Sequence, residues 1–129
     1  MTDSMHSILL LDDEENILRA LRRLLRKDGY TVFIATNAEE AFELLAAHPI
    51  QVVMSDQRMP KMSGTEFLSQ VQSMYPETIR MVLSGYADVQ SMNKAITEGA
   101  IHKFMTKPWD DQQLRAEITH AFQRWAKKR

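Results

Sequence analysis

In Ile50-Gln51-Val52-Val53-Met54-Ser55 the apolar residues 52 to 54 are consecutive, and the residue that follows the run is Asp56. Ser7-Ile8-Leu9-Leu10-Leu11 has the same form and leads into Asp12-Asp13. Consecutive rather than alternating apolar residues mark strands covered on both faces, the condition of central strands in a parallel sheet. Three further short runs, at 30–35, 80–83 and 101–105, read as strands, with 7–11 and 50–55 making five. Between them lie segments whose apolar residues recur at helical spacing. The stripes are Ile17, Leu21, Leu24 and Leu25; Ala38, Ala41, Phe42 and Leu45; Phe67 or Leu68 with Val71; Val89, Met92 and Ile96; and Leu114, Ile118, Ala121, Phe122 and Trp125. Asn37 with Glu40 resembles a capping box, and Gly29 and Gly99 stand where a helix ends in the left-handed conformation that glycine adopts most cheaply.

Strict alternation of five strands and five helices implies a doubly wound α/β domain: a parallel sheet, right-handed crossovers, and helices on both faces. At 129 residues, 44% apolar and 26% charged, the chain has the size and composition of one globular domain spanning 1–129. No apolar run reaches membrane-spanning length and no secretory signal opens the chain, so a cytoplasmic protein with no membrane association is expected. The absence of cysteine excludes disulfides, thiolate metal sites and cysteine nucleophiles. Sixteen basic against seventeen acidic side chains give no general pull toward nucleic acid. The basic residues Arg19, Arg22, Arg23, Arg26 and Lys27 read as a solvated helix face.

Open α/β sheets bind their ligands beyond the carboxyl ends of the strands. The residues at those ends are Asp12 and Asp13, Asp56, Ser84, and Lys107, while the second strand ends in Ala35-Thr36, as suits a sheet edge. Singly, each has an ordinary explanation: an Asp pair caps a helix, Ser-Gly and Lys-Pro make turns, and Asp56 ahead of Pro60 and Gly64 punctuates a loop. Together, on one rim, they make a site. Three ionised carboxylates at ~4 Å repel by on the order of 4 kcal/mol per pair at an effective dielectric of about 20. A hard dication with oxygen ligands offsets this, and magnesium suits a small carboxylate site completed by water and phosphate. Asp56 then has the setting of a nucleophile toward phosphorus, with Lys107 and the Ser84 hydroxyl as donors to the transferred oxygens. Gly85 leaves room beside Ser84.

Leu10-Leu11-Asp12-Asp13, Ser55-Asp56-Gln57-Arg58-Met59-Pro60 with Gly64, Leu83-Ser84-Gly85-Tyr86, and Phe104-Met105-Thr106-Lys107-Pro108-Trp109 resemble the receiver domain of two-component response regulators over nearly the whole chain. The resemblance implies a flavodoxin-like fold of strand order 2-1-3-4-5 and a phosphohistidine donor on a sensor histidine kinase or phosphotransfer protein. It implies that Asp56 accepts the phosphoryl group and that magnesium is held by Asp12 or Asp13, by Asp56 and by the backbone carbonyl of Arg58. It further implies a cis Lys107-Pro108 bond. Ser84 and Phe104 would be the switch pair, remodelling the surface of the fourth helix, fifth strand and fifth helix. That surface would control an output domain or downstream effector and offers a route to a homodimer. Phe104 lacks the hydroxyl of the commoner tyrosine, so its swing would rest on packing.

On this reading the chain is no enzyme beyond its own phosphorylation and dephosphorylation, and binds no nucleic acid directly. Arg58 and Tyr86 flank the site and are expected to shield the acyl phosphate, slowing its hydrolysis. His6, His48, His102 and His120 show no ligand spacing and read as surface or structural residues; the nine methionines need only packing roles, and Trp109 reads as a lid on the lysine loop. The alternatives are a pseudo-receiver that docks without taking phosphate, an aspartyl-phosphate hydrolase, disfavoured by the adjacent Asp12-Asp13, and a flavin binder, disfavoured by the lack of a phosphate loop after the first strand. The output is expected outside the chain, attached to a longer regulator of the cyclic-dinucleotide phosphodiesterase or transcription-activator kind, or else absent from a stand-alone receiver.

Overall fold

In the computed structural model, which describes residues 6–85 and 89–127, ten elements alternate along the chain. They are β1 (Ser7–Leu11), α1 (Glu15–Arg26), β2 (Thr31–Ala35), α2 (Ala38–Ala47), β3 (Val52–Asp56), α3 (Gly64–Met74), β4 (Ile79–Ser84), α4 (Val89–Thr97), β5 (Lys103–Thr106) and α5 (Asp111–Lys127). The strands pair in parallel in the order 2-1-3-4-5, as the alternation and the resemblance imply.

The strand side chains alternate between two cores. Ile8, Leu10, Val52, Met54, Met81 and Leu83 pack with Leu18, Leu21 and Leu25 of α1 and Leu114, Ile118 and Phe122 of α5. Leu9, Leu11, Val53 and Val82 face the other way, onto Ala41 and Leu45 of α2, Phe67, Leu68 and Val71 of α3, and Met92 of α4. This is why the central strands read as unbroken apolar runs: each residue is buried, but on opposite sides of the sheet. Each such aliphatic side chain contributes roughly 1.5–3 kcal/mol relative to exposure.

The structure adjusts several boundaries. β3 begins at Val52 rather than residue 50, and β5 at Lys103 rather than 101. Ile50 and Ile101 are buried, yet they lie in connections; the Ile101 amide still donates to Ala95 O at 3.4 Å, in the turn that follows α4. In α1 it is Leu18, not Ile17, that is fully buried, with Ile17 and Leu24 half-buried at the edge of the stripe. In α4 the buried row is Met92 with Ala95, and Ile96 is 38% exposed; the side chain of Val89 lies outside the described residues. The Asn37–Glu40 box forms only in half. Asn37 Oδ1 accepts from Glu40 N at 2.9 Å, but the Glu40 carboxylate reaches past the cap to the amide and hydroxyl of Thr36 at 2.8 and 3.0 Å. A complete box stands instead at Ser63 and Glu66, ahead of α3. Gly29 and Gly99 have φ of 87° and 86°, the left-handed values expected of them.

Candidate functional site

Backbone contacts between neighbouring strand ends fix the rim. Asp12 N donates to Ala35 O at 3.2 Å, drawing the end of β1 to that of β2, and Lys107 N donates to Ser84 O at 2.8 Å, which sets the residue after β5 beside the end of β4. In the ladder Leu11 is level with Ser55, and Asp56 with Leu83. The polar residues that follow these runs therefore emerge on one edge.

There the structure brings together the acidic residues and the lysine. One carboxylate oxygen from each of Asp12, Asp13 and Asp56 lies within 4.8 Å of the other two. Lys107 Nζ donates to Asp12 Oδ2 at 2.9 Å and to Asp56 Oδ1 at 3.3 Å. Asp12 and Asp56 are buried, 3% and 7% exposed, whereas Asp13 is open to solvent. Asp12 Oδ1 also accepts from Glu14 N at 2.9 Å, so the capping explanation of this pair holds for one of its oxygens and does not compete with the cluster. Ser84, 2% exposed, closes β4 at the same rim. The Lys107-Pro108 bond is cis.

The electrostatics are unbalanced. Burial first, and then the charge of Asp12, push the Asp56 carboxyl above the ordinary carboxylate range; the charge and hydrogen bond of Lys107 and the Gln57 amide pull it down and do not prevail. Burial by itself would lower the Lys107 ammonium, but its hydrogen bond to Asp12 and the charges of Asp12 and Asp56 outweigh that and hold it above its usual value. One lysine, paired with Asp12 and Asp56, against three clustered carboxylates leaves net negative charge at the rim. Hard oxygen donors at this spacing suit a divalent cation of the magnesium kind, so the residues present fit such an ion.

The loop from Asp56 to α3 presses against the site from below. A Cβ on Gly64 would collide with the Asp56 carbonyl, so only glycine allows α3 to begin so close to the acid. Gly85 differs: a Cβ there would meet nothing within 4 Å, so packing does not require its bareness. Arg58 is exposed two residues beyond Asp56; Tyr86 lies outside the described residues. Phe104 is half-buried against the core formed with α2, α3 and α4. Trp109 packs at the margin of the other core and donates from Nε1 to Asp111 Oδ1 at 2.9 Å.

The histidines do not gather at the rim. His6 lies 5.0 Å from Phe122, centroid to centroid, His48 stacks on Phe33 at 4.4 Å, and His102 Nδ1 accepts from Arg80 N at 3.0 Å. Two residues that the sequence reading passed over matter here. Gln57 joins Asp56 to α3, through bonds that no motif spacing announces. Arg80 is 4% exposed and donates to the carbonyls of Pro76, Thr78, Gly99 and Ala100, tying the turns before β4 and after α4. A basic residue inside an otherwise apolar strand was the only available signal for it.

The response regulator receiver domain is the family whose sequence pattern matches residues 8–119. Among curated proteins, the chain is 38% identical over 117 residues to the hydrogenase transcriptional regulatory protein HoxA of Bradyrhizobium diazoefficiens, covering 91% of this chain and 24% of that protein. It is 30% identical over 115 residues to a cyclic di-GMP phosphodiesterase of Thermotoga maritima, covering 89% of this chain and 30% of that one. The chain thus spans about a quarter of the length of these relatives. Among solved structures, the signal receiver domain of an HD domain-containing protein from Pseudomonas fluorescens Pf-5 superposes with a TM-score of 0.91 at 35% identity, covering 99% of this chain and 94% of that one.

Proposed function

Because this chain belongs to the response regulator receiver domain family of two-component systems, we propose that Asp56 accepts a phosphoryl group from a phosphohistidine on a sensor kinase or phosphotransfer protein. The observation that carries the reading is the buried Asp56 carboxylate at the end of β3, with Lys107 Nζ at 3.3 Å and oxygens of Asp12 and Asp13 within 4.8 Å. An Asp56 oxygen attacks phosphorus; the new P–O bond forms as the P–N bond to the donor imidazole breaks, and that electron pair returns to the ring nitrogen.

Each residue has a part. The Gln57 amide and Lys107 hold Asp56 Oδ1 at 2.9 and 3.3 Å and so orient the carboxylate. Lys107 and the Ser84 hydroxyl serve as donors to the transferred oxygens. Asp12, Asp13, Asp56 and the Arg58 carbonyl would hold magnesium, which when bound supplies positive charge shared between the carboxylates and the phosphoryl oxygens. Exposed Arg58 shields the product from water and slows its hydrolysis.

Movement of Ser84 toward the phosphoryl group leaves space into which half-buried Phe104 packs, which alters the surface of α4, β5 and α5. That surface passes the signal to an output domain or effector, or to a second copy. The names of the relatives point to two kinds of output, transcriptional regulation and cyclic di-GMP hydrolysis. A cytoplasmic place of action is part of this proposal; no helix among the described residues is long and apolar enough to cross a membrane. The test is incubation with acetyl phosphate and magnesium followed by intact mass measurement. The native chain gains one phosphoryl group and Asp56→Asn gains none; an unmodified native chain would turn the reading toward a docking module that takes no phosphate.

A further inference from the structure

Gln57 spends all four of its hydrogen-bonding groups on joining Asp56 to the first turn of α3. Its amide donates to Asp56 Oδ1 at 2.9 Å, and its carbonyl accepts from Gly64 N at 2.9 Å. Its side-chain Oε1 accepts from Thr65 N at 2.9 Å, while Nε2 donates to Thr65 Oγ1 at 3.2 Å. The first four amides of a helix have no partner within it. In α3 these are the amides of Ser63, Gly64, Thr65 and Glu66: Gln57 takes those of Gly64 and Thr65, the Ser63 hydroxyl takes that of Glu66, and the Glu66 carboxylate takes that of Ser63. Thr65 Oγ1 also lies 3.3 Å from Ser63 Oγ, which links the side-chain clasp to the capping box.

The segment 58–63 is therefore a short loop closed at its base by one residue, Gln57, through its backbone carbonyl and its side chain. Within it Lys61 has a φ of 76°, and Met62 N donates to Pro60 O at 2.9 Å. The Arg58 carbonyl, which the reading above assigns to the metal, lies one residue from the clasp.

We propose that the Gln57 side chain is a positioning residue for metal binding: by bridging to Thr65 it fixes the loop that presents the Arg58 carbonyl beside Asp56. The inference rests on the magnesium reading of the acidic cluster. Supporting groups of this kind, one bond removed from the ligands, typically change metal affinity 10- to 100-fold when lost. Gln57→Leu removes both side-chain bonds and leaves Thr65 N without its acceptor; Thr65→Val removes the Nε2 bond and the contact with Ser63 Oγ but keeps the Oε1 bond, and is the milder variant if Gln57→Leu folds poorly.

Magnesium titrations by calorimetry on the native chain, both single variants and the double variant decide the matter. The expected result is a dissociation constant raised about 10-fold in Gln57→Leu, by less in Thr65→Val, and little further in the double variant, because one bridge is cut from either side. In metal-free protein the amides of residues 58–62 exchange faster in Gln57→Leu. With acetyl phosphate the magnesium concentration for half-maximal rate rises. A lowered melting temperature with unchanged magnesium affinity, or independent additive effects of the two substitutions, would reduce the clasp to a structural prop and overturn the proposal. A native chain that binds magnesium in this manner yet takes no phosphoryl group would overturn only the phosphoacceptor reading. One that binds no magnesium would overturn both.

Discussion

Replacing Asp56 by asparagine should stabilise the metal-free protein at neutral pH and destabilise it, relative to the native chain, once magnesium is added. The carboxylate oxygens of Asp12, Asp13 and Asp56 lie within 4.8 Å of one another, so each neighbour repels an ionised Asp56 by at least about 3.5 kcal/mol at an effective dielectric of about 20. Asp13 is exposed, and solvent screens its share. Lys107 at 3.3 Å returns about 5 kcal/mol on the same basis, and burial adds a further cost to the charge. The repulsion by Asp12 and the attraction by Lys107 differ by only roughly 1–2 kcal/mol, so burial decides the sign and pushes the carboxyl above its ordinary range. Asparagine has the same shape, keeps an acceptor for the Gln57 amide and carries no charge. For a chain of this size each 1 kcal/mol relieved should raise the melting temperature by roughly 3–8 °C in chelator at about pH 7.

The dependence on pH follows from the direction of the shift. A carboxyl whose folded pKa is raised takes up its proton more readily in the folded state, so the native chain recovers stability as pH falls through that value. The advantage of Asp56→Asn should therefore shrink from about pH 7 toward about pH 4. On the proposed reading magnesium binds the folded native chain and should raise its stability by mass action, while the variant has lost one of the clustered carboxylates. Differential scanning calorimetry of both proteins in chelator and in excess magnesium, at both pH values, gives the four comparisons. A variant less stable than the native chain in chelator at neutral pH would refute the claim that repulsion and burial outweigh Lys107 at this site.

Gly64→Ala should cost about 1–3 kcal/mol in urea denaturation, as overpacking usually does, and should slow phosphoryl uptake as well, because its Cβ displaces the Asp56 carbonyl; native rates in the variant would count against the tight seat of α3. Arg80→Met should lower stability by about 2–4 kcal/mol, since four backbone carbonyls lose their donor. Magnesium affinity in that variant should remain native, because Arg80 lies toward the opposite end of β4 from Ser84, and a changed affinity in calorimetric titration would show that the two ends communicate.

Much of this molecule is written locally. Leu9-Leu10-Leu11 and Val52-Val53-Met54 announce strands buried on both faces, because burial acts on each residue in turn, and the βα alternation then leaves few topologies to choose from. The rim positions of Asp12, Asp13, Asp56, Ser84 and Lys107 follow, since a parallel sheet puts every strand's carboxyl end on the same edge. What the tertiary structure decided is where groups had alternative partners. Glu40 could have closed its own cap and instead took Thr36; Ile96 gave up its place in the core to Ala95. Gln57 found Thr65 eight residues away, and Arg80 found carbonyls in the turns before β4 and after α4. The charge on Asp56 likewise depends on distances to residues some fifty positions away in either direction. Periodicity reports which surface a residue turns to the core, whereas hydrogen bonds and charge interactions depend on distances of a few ångströms between groups remote in sequence, and only the folded chain sets those.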